Sequence, residues 1–120
     1  MRLNIYIDDA DLEDGDLEKM FKPVSASIAT WIGEGKKNIK LLAEQSEADD
    51  SIMLGVCLEV KSKFKLKDPL NFLYSIAKDY KCEFAIAIVS PDTGDSEDVC
   101  YFGFEEGRPD LFEIANYIDL

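Results

Sequence analysis

Leu3, Ile5 and Ile7 alternate with Arg2, Asn4 and Tyr6, the two-residue period of a strand with one buried face, and Asp8-Asp9 closes it. From Leu17 the period lengthens. Met20, Phe21, Val24, Ile28, Trp31 and Ile32 follow Leu17 at offsets of three, four, seven, eleven, fourteen and fifteen, a helical stripe that Gly33 and Gly35 stop. Pro23 lies inside that stripe. It has no N–H and clashes with the carbonyl four residues back, so the pattern predicts a short turn of helix before it and the main helix over Pro23 to Ile32.

Two runs rich in Ile, Leu and Val, Asn38 to Ala43 and Ile52 to Val60, flank the polar stretch Glu44 to Ser51 and predict a hairpin. Lys61, Lys63, Lys65 and Lys67 then alternate with Ser62, Phe64 and Leu66, which reads as a strand end or extended edge guarded by lysines. Asp68-Pro69 gives a cap followed by proline at the first helical position, and Leu70, Leu73, Tyr74, Ala77 and Tyr80 share one helical face after it. Phe84 to Val89 is a continuous apolar run of strand length, expected to be covered on both faces or nearly so. Pro91-Asp92-Thr93-Gly94-Asp95 turns the chain, and Val99 to Phe104 returns beside it. Pro109 opens a last helix whose Leu111, Phe112, Ala115 and Ile118 line one side. Strand, helix, strand, strand, helix, strand, strand, helix implies an α+β two-layer sandwich: a mostly antiparallel five-stranded sheet with about three helices, in a single domain over residues 1–120.

Charge narrows the choice of partners. Asp and Glu number 25 against 13 Lys and Arg, a net −12, which repels nucleic acid and anionic membranes and attracts cationic proteins. Cys57, Cys82 and Cys100 are odd in number and sit in apolar stretches, so they read as small hydrophobes in a reducing compartment. Neither a signal peptide nor a span-length apolar run is legible, and cytoplasmic residence is the expectation.

The chain has no histidine, which removes imidazole-based triads and the commonest zinc ligand. Carboxylates abound through composition alone, so no pair stands out as an acid–base couple, and the chain reads as a binder and not an enzyme. Asp9, Asp11 and Glu13 suggest a calcium loop, but a loop starting at Asp9 puts Asp14 where glycine is required and Met20 where glutamate is required. No metal or cofactor is therefore expected. The segment Asp8, Asp9, Asp11, Glu13, Asp14, Asp16 and Glu18 contains no base and reads either as a solvated surface or as a landing site for a basic partner. Asp92, Asp95, Glu97 and Asp98 at the second hairpin invite the same two readings. Glu105, Glu106 and Arg108 form a charged loop before the last helix. Its simplest reading is a turn permitted by Gly107, with one glutamate paired to Arg108.

Phe102-Gly103-Phe104-Glu105-Glu106-Gly107-Arg108-Pro109-Asp110, with Phe112-Glu113-Ile114-Ala115 and Tyr117-Ile118 after it, resembles the ending of small immunity proteins encoded beside polymorphic or contact-dependent bacterial toxins. The resemblance covers about the last fifth of the chain. It implies a small α+β protein that binds and neutralises a cognate toxin domain, such as a nuclease, without catalysis; the charge suggests that it does so through an acidic surface. The partner-binding residues expected on these grounds are Asp8, Asp9, Asp11, Glu13, Asp14, Asp16, Asp92, Asp95, Glu97, Asp98, Glu105, Glu106 and Arg108. The alternative is a regulatory domain that binds a small molecule or a divalent metal on its sheet face.

Overall fold

A computed structural model describes residues 1–10, 12–13, 15–35, 38–45 and 52–120. Strands β1 (Arg2–Asp8), β2 (Ile39–Gln45), β3 (Ile52–Glu59), β4 (Glu83–Val89) and β5 (Ser96–Gly103) form one sheet in the order β2-β3-β1-β4-β5. Every neighbouring pair is antiparallel. Helices α1 (Asp16–Ile32), α2 (Lys67–Tyr80) and α3 (Leu111–Tyr117) complete the α+β sandwich expected from the pattern. Of the polar stretch expected between β2 and β3, residues 46–51 lie outside the described residues.

The two-residue period places the core. Leu3, Ile5 and Ile7 of β1 align with Leu58 and Val56 of β3 and with Ile88, Ile86 and Phe84 of β4, so these residues share one face of the sheet. Against that face α1 covers β2 and β3, while α2 lies over β4 and β5. Leu17, Met20, Val24 and Ile28 of α1 and Leu70, Leu73, Ile76 and Ala77 of α2 are buried there with Phe84 and Phe102, whose rings stack 5.5 Å apart. Among the described residues no helix covers the opposite face.

The helix expected to divide at Pro23 is continuous from Asp16 to Ile32. Pro23 and Lys19 both lie on its exposed side, where water can serve the carbonyl that loses its donor, and the buried stripe holds the helix through the break. The alternating lysines are not a strand edge either. β3 ends at Glu59, the Ser62 hydroxyl accepts a bond from the Phe64 N–H, and Lys63–Leu66 coil into a 3₁₀ turn. Only Leu66 of the two apolar residues enters the core while Phe64 remains 64% exposed, so a period of two never applied. That turn runs straight into α2. The helix therefore begins at Lys67 with Leu66 before it, and Asp68 falls in the first turn instead of capping it.

In α3 the Asp110 side chain accepts from the N–H groups of Phe112 and Glu113, at 3.0 Å each. Ile114, Ala115 and Ile118 are buried, and Phe112, expected on that side, is 60% exposed, with the Lys63 Nζ 5.3 Å from its ring centre. Phe21 and Trp31 are half-buried, Trp31 stacking on Phe72 with ring centres 4.5 Å apart.

Cys82 is fully buried, and Cys57 and Cys100 are half-buried; all three are free thiols. Burial, then the Glu83 charge, pushes the Cys82 thiol up from 9.0 to about 12, and burial followed by Glu113 takes Cys100 to about 11. Above pH 9 the unfolded chain gives up protons that the folded chain retains, so stability falls as pH rises towards the folded values. The loss is at most about 1.4 kcal/mol per pH unit for the buried Cys82 thiol and smaller for Cys100, which solvent partly screens. Urea midpoints measured from pH 8 to 11 are expected to decline, and Cys82→Ala to flatten the decline; an unchanged slope in the variant refutes the assignment to Cys82.

Candidate functional site

The uncovered face of the sheet carries the residues that alternate with the core: Arg2, Asn4, Tyr6 and Asp8 from β1, with Ala85 and Ala87 from β4 and Tyr101 and Asp98 from β5 in register beside them. Alanine leaves a shallow trough along β4. Tyr6 lies across it, and its hydroxyl donates to the Asp98 carboxylate two strands away, so that Ala85 and Ala87 are buried on a face that no helix covers. Tyr101 stands beside them, 47% exposed. A β-bulge between Ile86 and Ala87 breaks the even pairing of β4 with β5 beside Asp98, the kind of irregularity that re-aims side chains.

The electrostatics of this group have one sign. Burial, the hydrogen bond to Asp98 and the charges of Asp98, Tyr101 and Asp8 hold the Tyr6 hydroxyl well above the usual tyrosine range. Tyr101 is raised chiefly by the Asp98 charge, with burial and Asp8 adding to it. Near neutral pH the charges that raise the two phenols are the carboxylates of Asp98 and Asp8. The result is a neutral aromatic surface next to two carboxylates, a combination suited to a partner's ammonium or guanidinium group: carboxylates accept its N–H donors, and ring faces attract its charge.

The strand register also separates the expected acidic residues. Asp8 pairs with Glu83, which pairs with Gly103, so Asp8, Asp9 and the Glu105-Glu106 turn gather at one end of the sheet. The hairpin bearing Asp92 and Asp95 follows Val89 at the opposite end, and Glu97 aligns with Ile88 on the helix-covered side of β5. Among the described residues of the expected set, Asp8 and Asp98 lie on the tyrosine face, in rows four residues apart. In the turn that leads into α1 the Glu13 N–H donates to the Asp16 carboxylate and the Asp16 N–H to the Glu13 carbonyl, and Asp11 and Asp14 lie outside the described residues.

Neither Glu105 nor Glu106 forms an ion pair with Arg108. Their N–H groups instead donate to the Glu83 carboxylate, at 3.0 Å and 2.8 Å for the closer contacts, and the Arg108 guanidinium lies 5.5 Å from the centre of the Tyr74 ring. Among the described residues the ion pair present joins Arg2 to Glu59 at 3.4 Å, with both side chains well exposed. Gly103 makes the Glu83 arrangement possible, since a Cβ there would lie 2.6 Å from the Cys82 carbonyl oxygen. The Phe104 N–H donates to that same oxygen at 3.0 Å.

No family model, curated protein or solved structure matches the chain.

Among the described residues no cluster of three His, Cys, Asp or Glu is placed to hold a metal ion. Nor, among the described residues, is any helix long and apolar enough to cross a membrane. An open groove of about 630 Å³ at the far end of β2 and β3 is bordered by Ile39, Leu58, Lys61, Lys65, Glu59 and Asp68. Its lining carries both signs, Lys61 and Lys65 with Glu59 and Asp68.

Tyr6, Tyr101 and Glu83 were not among the expected site residues. The alternation Phe84-Ala85-Ile86-Ala87-Ile88 carried a readable signal, because large residues on one side of a strand and alanines on the other leave room for a side chain to lie across the small side.

Proposed function

We propose that this protein is an immunity-type binder that neutralises a cognate toxin domain by receiving a basic surface of that domain on the uncovered sheet face around Tyr6, Asp8, Asp98 and Tyr101. The observation that supports this reading is the Tyr6 hydroxyl bonded to the Asp98 carboxylate across an apolar trough, with Tyr101 exposed beside it. The proposal narrows the expected interface. Asp8 and Asp98 contact the partner, whereas Asp92, Asp95 and the Glu105-Glu106 turn speed its approach through the net −12 charge. A nuclease domain fits this chemistry because its substrate groove is cationic, and carboxylates placed there occupy positions meant for phosphate.

The test is co-expression of the chain with the C-terminal domain of a toxin found in a neighbouring reading frame, followed by calorimetry and an assay of that domain's toxicity. A stoichiometric complex that suppresses toxicity and weakens as salt rises is expected. Purified components that fail to associate at low ionic strength defeat the proposal.

A further inference from the structure

The two edges of the sheet are unlike. β5 presents Ser96, Glu97 and Asp98 together with a bulge, devices that keep an edge from pairing with another chain. β2, with the sequence Ile-Lys-Leu-Leu-Ala-Glu-Gln, is regular over its whole length and leaves Leu41 38% exposed.

Among the described residues β2 has a strand on one side, and the direction of its outward hydrogen-bonding groups follows from the register. The Asn38 carbonyl accepts from the Glu59 N–H at 3.3 Å, so the 38/59 position is turned towards β3. In an antiparallel ladder inward and outward groups alternate, which places 40, 42 and 44 inward and leaves the N–H and C=O groups of Ile39, Leu41, Ala43 and Gln45 facing outward.

We propose that β2 pairs with the β2 of a second copy of this chain, antiparallel and centred on Leu42, to give a continuous two-copy sheet. Charge complementarity singles out this register. About a two-fold axis at Leu42, Lys40 of each copy stands opposite Glu44 of the other, and Leu42 stands opposite its own copy. Those pairs fall at the positions that exchange no hydrogen bonds, where side chains approach more closely. Leu41 pairs with Ala43, and Ile39 with Gln45, through the outward backbone groups, which covers the exposed Leu41. Pairing β5 with itself would instead set carboxylates near carboxylates. The net charge opposes any self-association, but at physiological ionic strength charges more than about 8 Å apart are largely screened, and the strand-to-strand pairs lie inside that distance. The axis stands perpendicular to the sheet, so both tyrosine faces point the same way and remain open. This inference does not depend on the proposed toxin binding.

Sedimentation velocity over a wide concentration range is expected to show a monomer–dimer equilibrium at physiological salt. Lys40→Glu places like charges opposite each other at both symmetric positions and is expected to weaken the dimer about tenfold. Restoring complementarity with Lys40→Glu plus Glu44→Lys is expected to recover it. Ala43→Pro removes an outward N–H and is expected to abolish the dimer, with circular dichroism confirming that the variant remains folded. A chain that stays monomeric at the highest concentration overturns the proposal. So does a dimer indifferent to Lys40→Glu, or a double variant no better associated than the single one.

Discussion

Replacing Gly55 with alanine is expected to remove a large share of the stability of the fold. Gly55 lies in β3 between Leu42 of β2 and Tyr6 of β1, and a Cβ built there would stand 1.9 Å from the Ile5 carbonyl oxygen and 2.6 Å from the Tyr6 Cα. Both are backbone atoms of the central strand, so no rotamer change can relieve the overlap. β3 would have to withdraw from β1, breaking ladder bonds and opening the packing of Leu54, Val56 and Leu58, all of them buried. Overpacking that displaces backbone costs about 3 kcal/mol or more, against a total stability of about 5–15 kcal/mol for an ordinary domain. Urea titration followed by circular dichroism measures the effect. A variant within about 1 kcal/mol of the parent would show that β3 can shift cheaply, and the tight approach would then have no structural importance.

The arrangement of strands and helices was legible because one face of every strand and one stripe of every helix must be buried, and the period of that burial is written in residues such as Leu3, Ile5 and Ile7 or Leu70, Leu73 and Ala77. The misread places were those where a local rule met a stronger tertiary demand. Pro23 argues for a break when considered alone, yet Met20, Val24 and Ile28 are buried on one side of an unbroken helix, and the proline turns outward. Lys61 to Lys67 alternates by charge, but burial selects only Leu66, and Ser62 bends the chain into a 3₁₀ turn.

The candidate site was less legible for a different reason. Carboxylates are so numerous that composition could not rank them, and ranking required the register, which sends Asp92 and Asp95 to one end of the sheet and Asp8 and Asp9 to the other. Asp98 acquires its position only because Tyr6 reaches across β4, a contact between residues 92 positions apart that no local pattern encodes. Glu83 is a similar case: a carboxylate at the start of a strand organises a turn more than twenty residues away.

Asp98→Lys is expected to weaken binding of the proposed toxin domain about a hundredfold, roughly 3 kcal/mol, the range found when one member of a desolvated charge pair is lost at an interface. The substitution removes the acceptor of the Tyr6 hydroxyl and sets a cation where the proposed partner brings its own. Asp98 is exposed, so the fold should tolerate the change. Tyr101→Ala removes a half-exposed ring without altering charge, and a loss of about tenfold is expected from the missing ring face. Asp95→Lys makes the same charge change at the hairpin and should slow association at low salt while leaving the equilibrium affinity within about threefold, because a rim charge acts mainly on the encounter rate. The contrast between Asp98→Lys and Asp95→Lys carries the test. Equal losses in the two variants would mean that net charge alone draws the partner in, and the tyrosine face would have no special part in holding it.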